Sequence, residues 1–104
     1  MKKYKVKNWK DHQHYKHRFP PWIKLEVGLL DSPKFDELSG DEVKVLIKIW
    51  LATTKNKTVG GLVHDLEKLS FMLRISKADT KMYLEKFESK GWLVECKQDA
   101  SKML

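Results

Sequence analysis

The residues of this chain best placed to do chemistry lie between Ser76 and Met82. At helical spacing Thr80, Tyr83, Leu84 and Phe87 share one face, leaving Ala78, Lys81, Met82, Glu85, Lys86 and Ser89 on the other, with Lys77 at its N-terminal edge. Lysine reaches phosphates or guanine, and alanine or methionine meets thymine methyls, so Lys77, Ala78, Lys81 and Met82 are candidates to face a DNA groove. Ser76 and the free N–H groups at the helix start can hold a phosphate. The competing reading is an ordinary solvated helix face, and Glu85 on that face favours it.

Other reactive side chains form no catalytic pattern. His12, His14 and His17 are close in sequence, but a third and fourth ligand of known geometry are missing, so no metal site is expected. His64 stands beside a helix cap, where a local hydrogen bond is the simpler role. The single cysteine, Cys96, has no partner for an internal disulfide and reads as a small residue in a strand. Gly60-Gly61 lacks the Gly-Lys-Ser/Thr continuation of a phosphate-binding loop. Without a Ser-His-Asp or paired-carboxylate arrangement either, the sequence predicts no enzyme and no cofactor.

Charge is distributed unevenly. Residues 1–24 hold eight Lys or Arg against one acid, Asp11, and so carry the whole net charge of +7; residues 25–104 hold thirteen basic and thirteen acidic residues. A basic arm on a neutral body points to a polyanionic partner, because counterion release is concentrated at one place. Within the arm Lys10, Lys16 and Arg18 are interleaved with Trp9, Tyr15 and Phe19, a composition suited to phosphate contact and base stacking. The alternative is a solubilising or partner-docking extension.

These groups must be positioned by one domain, since 104 residues bury only one modest core. The boundaries expected are a basic arm at 1–21, a folded domain at 22–97 and a polar tail at 98–104. Pro20-Pro21 ends the arm because it cannot continue a helix. Tyr4-Lys5-Val6-Lys7 alternates like a short strand, though weakly, and the arm is expected to order on binding. A two-turn helix is expected over 22–30, with Leu25, Leu29 and Leu30 on one face. Asp31-Ser32-Pro33 stops it, and Phe35 and Leu38 follow as core contacts in a turn.

Ser39 and Glu42 form a capping box before a helix over 40–54, with Val43, Leu46, Ile47, Trp50 and Leu51 as its apolar stripe. After a turn-rich loop and a very short strand at Leu62-Val63, Asp65 caps a helix over 66–73 that buries Leu66, Leu69, Phe71, Met72 and Leu73. Ser76 with Asp79 starts a helix over 77–90, closed by Gly91, and residues 92–97 form the best strand. Trp22, Trp50 and Trp92 all lie in apolar runs and are assigned to the core. The order predicts a mainly α fold with a small β-sheet, a winged helix-turn-helix. No run approaches the roughly 18 apolar residues needed to span a bilayer, and no apolar segment follows the N-terminal lysines. A cytoplasmic protein without membrane contact is expected.

Residues 9–25, Trp-Lys-Asp-His-Gln-His-Tyr-Lys-His-Arg-Phe-Pro-Pro-Trp-Ile-Lys-Leu, continued by Gly28-Leu29-Leu30-Asp31, resemble a segment of phage-encoded replication proteins. More loosely, residues 9–95 are similar to the N-terminal winged-helix domain of phage replisome organisers and DnaD-like initiators. The resemblance implies origin binding through this domain, with double-stranded DNA as the expected partner and host-cell cytoplasm as the place, and recruitment of replication proteins through a further C-terminal domain; only DNA binding and self-association carry over to this chain. Since the chain ends at Leu104, a helicase-contacting domain is expected to be absent or to have been removed. The readings left open beside it are a transcriptional regulator and a protein-interaction module that oligomerises or binds a host factor.

Overall fold

The structure, a computed structural model, describes residues 3–7, 22–56, 63 and 65–96. In these the chain runs β1 (Lys3–Val6), a 3-10 turn (Val27–Asp31), α1 (Pro33–Asp36), α2 (Gly40–Asn56), α3 (Leu66–Leu73), α4 (Lys77–Ser89) and β2 (Leu93–Cys96). It is mainly helical with a small antiparallel sheet, compatible with the expected class.

Each long helix starts where a side chain satisfies an orphan N–H. At α2 the box is reciprocal: Glu42 N–H donates to Ser39 Oγ at 3.1 Å and Ser39 N–H to Glu42 Oε1 at 2.9 Å. Asp65 accepts from Lys68 N–H at 2.9 Å to start α3, and Ser76 accepts from Asp79 N–H at 3.0 Å to start α4. At the far end of α4, Gly91 takes φ of 86° and Trp92 N–H reaches back to Phe87 O at 2.8 Å, a Schellman closure.

The core is built on α2, where Val45, Leu46, Ile49 and Trp50 are buried. The stripe is therefore rotated from the one expected: Val43 and Ile47 are only partly buried and Leu51 is 46% exposed. On α3 Leu69 and Leu73 are buried but Phe71, expected inside, is 83% exposed. From α4 come Thr80, Leu84 and Phe87, and from β2 Leu93. Trp50 is fully enclosed, and Trp92 is partly buried against it at 6.3 Å between ring centroids, with Phe35 edge-on at 6.1 Å. Trp22 departs from its assignment, being half exposed.

Two N-terminal segments differ from expectation. Residues 22–26 form no helix, Glu26 being extended, and only Val27–Asp31 turns, as a 3-10 turn that buries nothing and has no side-chain cap. Five residues ended by Ser32-Pro33 cannot recover the cost of helix nucleation without packing, and only Leu29 reaches the core. Pro33 then starts α1, with Ser32 Oγ accepting from Phe35 N–H at 3.2 Å.

β1 is firmly in the fold. It pairs antiparallel with β2, Lys3 opposite Cys96 and Val6 opposite Leu93, and it puts Tyr4 and Val6 into the core. Lys7 N–H bonds Trp92 O at 3.1 Å; Tyr4 O faces the other edge and accepts from Val63 N–H at 2.9 Å. β1 thus lies between β2 and Val63, and the boundary expected after residue 21 does not separate Tyr4 and Val6 from the body. A wing would pair two strands that both follow the last helix. Among the described residues β2 is paired instead by the N-terminal strand.

Candidate functional site

The α3–α4 connection is three residues long. Arg74 takes the left-handed conformation, φ 62° and ψ 41°, closing α3 with its N–H on Ser70 O and Phe71 O, and Ser76 opens α4. This short link fixes α4 against α3 and α2 through Thr80, Leu84 and Phe87. What remains outward follows from the helical period: Lys77, Ala78, Lys81 and Glu85 are exposed, and Met82 is 43% exposed. The structure therefore brings Ser76, Lys77, Lys81 and Met82 together at one end of α4. Lys10, Lys16 and Arg18 lie outside the described residues, as do all four histidines.

Cations along α4 fall into two states. Lys77 and Lys81, in its first half, make no side-chain hydrogen bond or ion pair among the described residues. Lys86, in its second half and expected on the open face, reaches back across to α2, where its ammonium bonds Glu42 Oε2 at 2.7 Å. This hydrogen bond is the main reason the Glu42 carboxyl lies below its ordinary range, helped by the Ser39 N–H, and it raises the Lys86 ammonium in turn. Lys86 is thus a structural cation. Ser76 is also committed, because its Oγ is the cap for Asp79 N–H, and Asp79 places a carboxylate in the first turn. An anion at this helix start would meet that charge.

A second row of cations comes from the start of the basic arm. On β1 the burial alternates, so Lys3, Lys5 and Lys7 are exposed while Tyr4 and Val6 are buried. Alternate strand residues are about 6.8 Å apart on one face. The Lys-Tyr-Lys-Val-Lys alternation was the available sign, but it gained meaning only once β2 was known to lie beside it.

Lys34 has a different role, with its ammonium 4.6 Å from the Trp92 ring centroid and bonded to Gly91 O at 3.2 Å. Among the described residues no cluster of three His, Cys, Asp or Glu is arranged to hold a metal ion, and no helix is long and apolar enough to cross a membrane. No family model, curated protein or solved structure matches the chain. The class this fold defines is a small helical domain closed by a two-stranded antiparallel sheet, with Lys77 and Lys81 exposed in the first half of α4 beside Asp79.

Proposed function

We propose that this chain is a double-stranded DNA-binding module of winged-helix type, serving replication initiation in a phage or prophage. One observation carries the DNA reading: among the described residues the cations in the first half of α4 have no side-chain partner, while Lys86 in the second half is tied to Glu42. In a helix-turn-helix it is the N-terminal half of the second helix that enters the major groove. Lys81 then meets a guanine edge or a phosphate, Met82 a thymine methyl, and Lys77 the backbone. Lys3, Lys5 and Lys7, with Lys10, Lys16 and Arg18, supply sequence-independent phosphate contacts. The resemblance of residues 9–25 to phage replication proteins favours replication over transcription.

The test is fluorescence anisotropy with labelled duplexes over a series of salt concentrations. Affinity should fall steeply with salt, and replacing Lys3, Lys5 and Lys7 by Ala should flatten the log–log slope by about 3. Lys81→Ala should change the preference among sequences, whereas the triple variant weakens binding to all of them alike. No binding at low salt, or a salt-independent affinity, would refute the DNA reading.

A further inference from the structure

We propose that copies of this chain assemble head to tail, an apolar acidic patch on one copy seating in an apolar basic groove of the next. The inference is independent of the DNA reading and rests on two surfaces that are exposed among the described residues.

The groove lies between the second half of α2 and the α3–α4 connection, an open hollow of about 1140 Å³. Leu51 and Phe71 line it, 46% and 83% exposed, with Met72 beside them. A lone exposed apolar residue needs no explanation, but an aromatic and a leucine lining one hollow mark a place built to be covered. The rim is mainly basic: Lys55, Lys68 and Arg74 border it beside one acid, Glu67, and among the described residues these three cations make no side-chain hydrogen bond or ion pair, whereas Lys48, also on the lining, bonds Leu73 O at 3.1 Å. Phe71 has the residue type and the setting of an interface anchor, surrounded by charges that select a negative partner.

The matching surface is on the same chain. Leu25, Val27 and Leu30 are 53%, 83% and 85% exposed on the segment that failed to become a helix. Glu26 and Asp31 alternate with them, exposed, and Asp36 and Glu37 follow. The 3-10 turn buries no residue of its own, which is unusual for an apolar Val-Gly-Leu-Leu run unless another surface covers it.

The two surfaces lie at opposite ends of α4. The groove reaches Ser76, at its start, whereas the patch leads directly into α1, whose Lys34 bonds Gly91 O just past its end. Thirteen residues of helix separate them by about 20 Å. They cannot close on each other within one molecule. Contact between unlike surfaces is heterologous, so it adds copies into a ring or an open filament instead of stopping at a symmetric dimer.

The experiment is multi-angle light scattering on the full chain without DNA, over a concentration series at low salt. Wild type should exceed the monomer mass of 12.3 kDa and keep growing past a dimer as concentration rises. Phe71→Asp spoils every groove and Leu30→Lys every patch, so each variant alone should remain monomeric. Mixed in equal amounts they still offer one intact groove and one intact patch, and should form a one-to-one dimer that grows no further. Raising salt should weaken wild-type assembly about tenfold in dissociation constant. Both positions are more than four-fifths exposed, and unchanged thermal melts would show that the variants fold. A monomeric wild type, a mixture that stays monomeric, or assembly lost in Phe71→Asp but intact in Leu30→Lys would each overturn the proposal. The last would indicate a symmetric groove-to-groove contact; a monomer whose groove instead takes up DNA, seen as loss of binding in Phe71→Asp, would equally refute self-docking.

Discussion

Replacing Val6 by Ala tests whether the first residues of this basic chain are part of the fold or an appendage. Val6 is 3% exposed and stands opposite Leu93, itself 1% exposed, so no solvent can fill the space left behind. Two methyl-sized groups removed from an apolar site are worth about 1.6 kcal/mol in transfer free energy. The unfilled volume adds about 1 kcal/mol where neighbours relax only partly, giving a total of about 2–3 kcal/mol. For a domain of this size that lowers the melting temperature by roughly 10–20 °C. Lys5→Ala is the matched control, because Lys5 is exposed on the same strand and its loss should cost no more than about 0.5 kcal/mol. Urea titrations followed by circular dichroism and tryptophan fluorescence give both values, with the midpoint shifted and the slope unchanged. If Val6→Ala and Lys5→Ala unfold at the same urea concentration, β1 is not part of the core and the pairing with β2 is wrong.

Gly91→Ala should destabilise by about 1–2 kcal/mol, because φ of 86° is strained for any L side chain; the added Cβ would also come within 3.0 Å of Lys34 Nζ, though that flexible tip can move. Ser76→Ala should lose about 1 kcal/mol with the cap, whereas Ser76→Asp should keep the melt of wild type and weaken DNA binding by placing another carboxylate beside Asp79, outcomes read by thermal melts and anisotropy together. The Glu42 carboxyl is depressed, so its contribution to stability is present above its unfolded value of 4.5 and lost as pH falls through the lower folded value; urea midpoints at about pH 5 and pH 3 should therefore converge between wild type and Glu42→Gln. Lys86 is raised from 10.5, so its contribution is present below that value and lost only as pH rises through the higher folded one.

The helix starts were legible because capping is local. Ser39 with Glu42, Asp65 with Lys68 and Ser76 with Asp79 each act within four residues, and all three begin the helices they announced. Which face of α2 turns inward was not legible, because eight of the ten residues from Val43 to Ala52 are apolar and only the partner elements choose among them. Phe71 was lost to the same ambiguity on α3. Residues 22–30 carried a helical spacing of leucines, but spacing is no evidence of a covering surface, and of Leu25, Leu29 and Leu30 only Leu29 found one. β1 was nearly invisible for a different reason: its partner is about ninety residues away, and two alternations are a weak pattern without it. At the candidate site the outward face of α4 followed from periodicity, while the withdrawal of Lys86 depended on Glu42 arriving from another helix.

The position of β1 changes what the charge asymmetry means. A basic tail hung on a neutral body would add affinity from any direction and carry no geometry. Here Val6 opposite Leu93, the bond from Lys7 N–H to Trp92 O and the bond from Val63 N–H to Tyr4 O hold three of the arm's lysines on the sheet. β2 in turn leaves α4 through the Gly91 closure, where Trp92 is bonded to Phe87 O and packed against Trp50. The path from Lys77 and Lys81 to Lys3, Lys5 and Lys7 is therefore one helix, one tight turn and one strand pair. Charges held at fixed separations favour one arrangement of phosphates over others, so on the proposed reading these lysines select an orientation on the duplex as well as strengthening the hold on it.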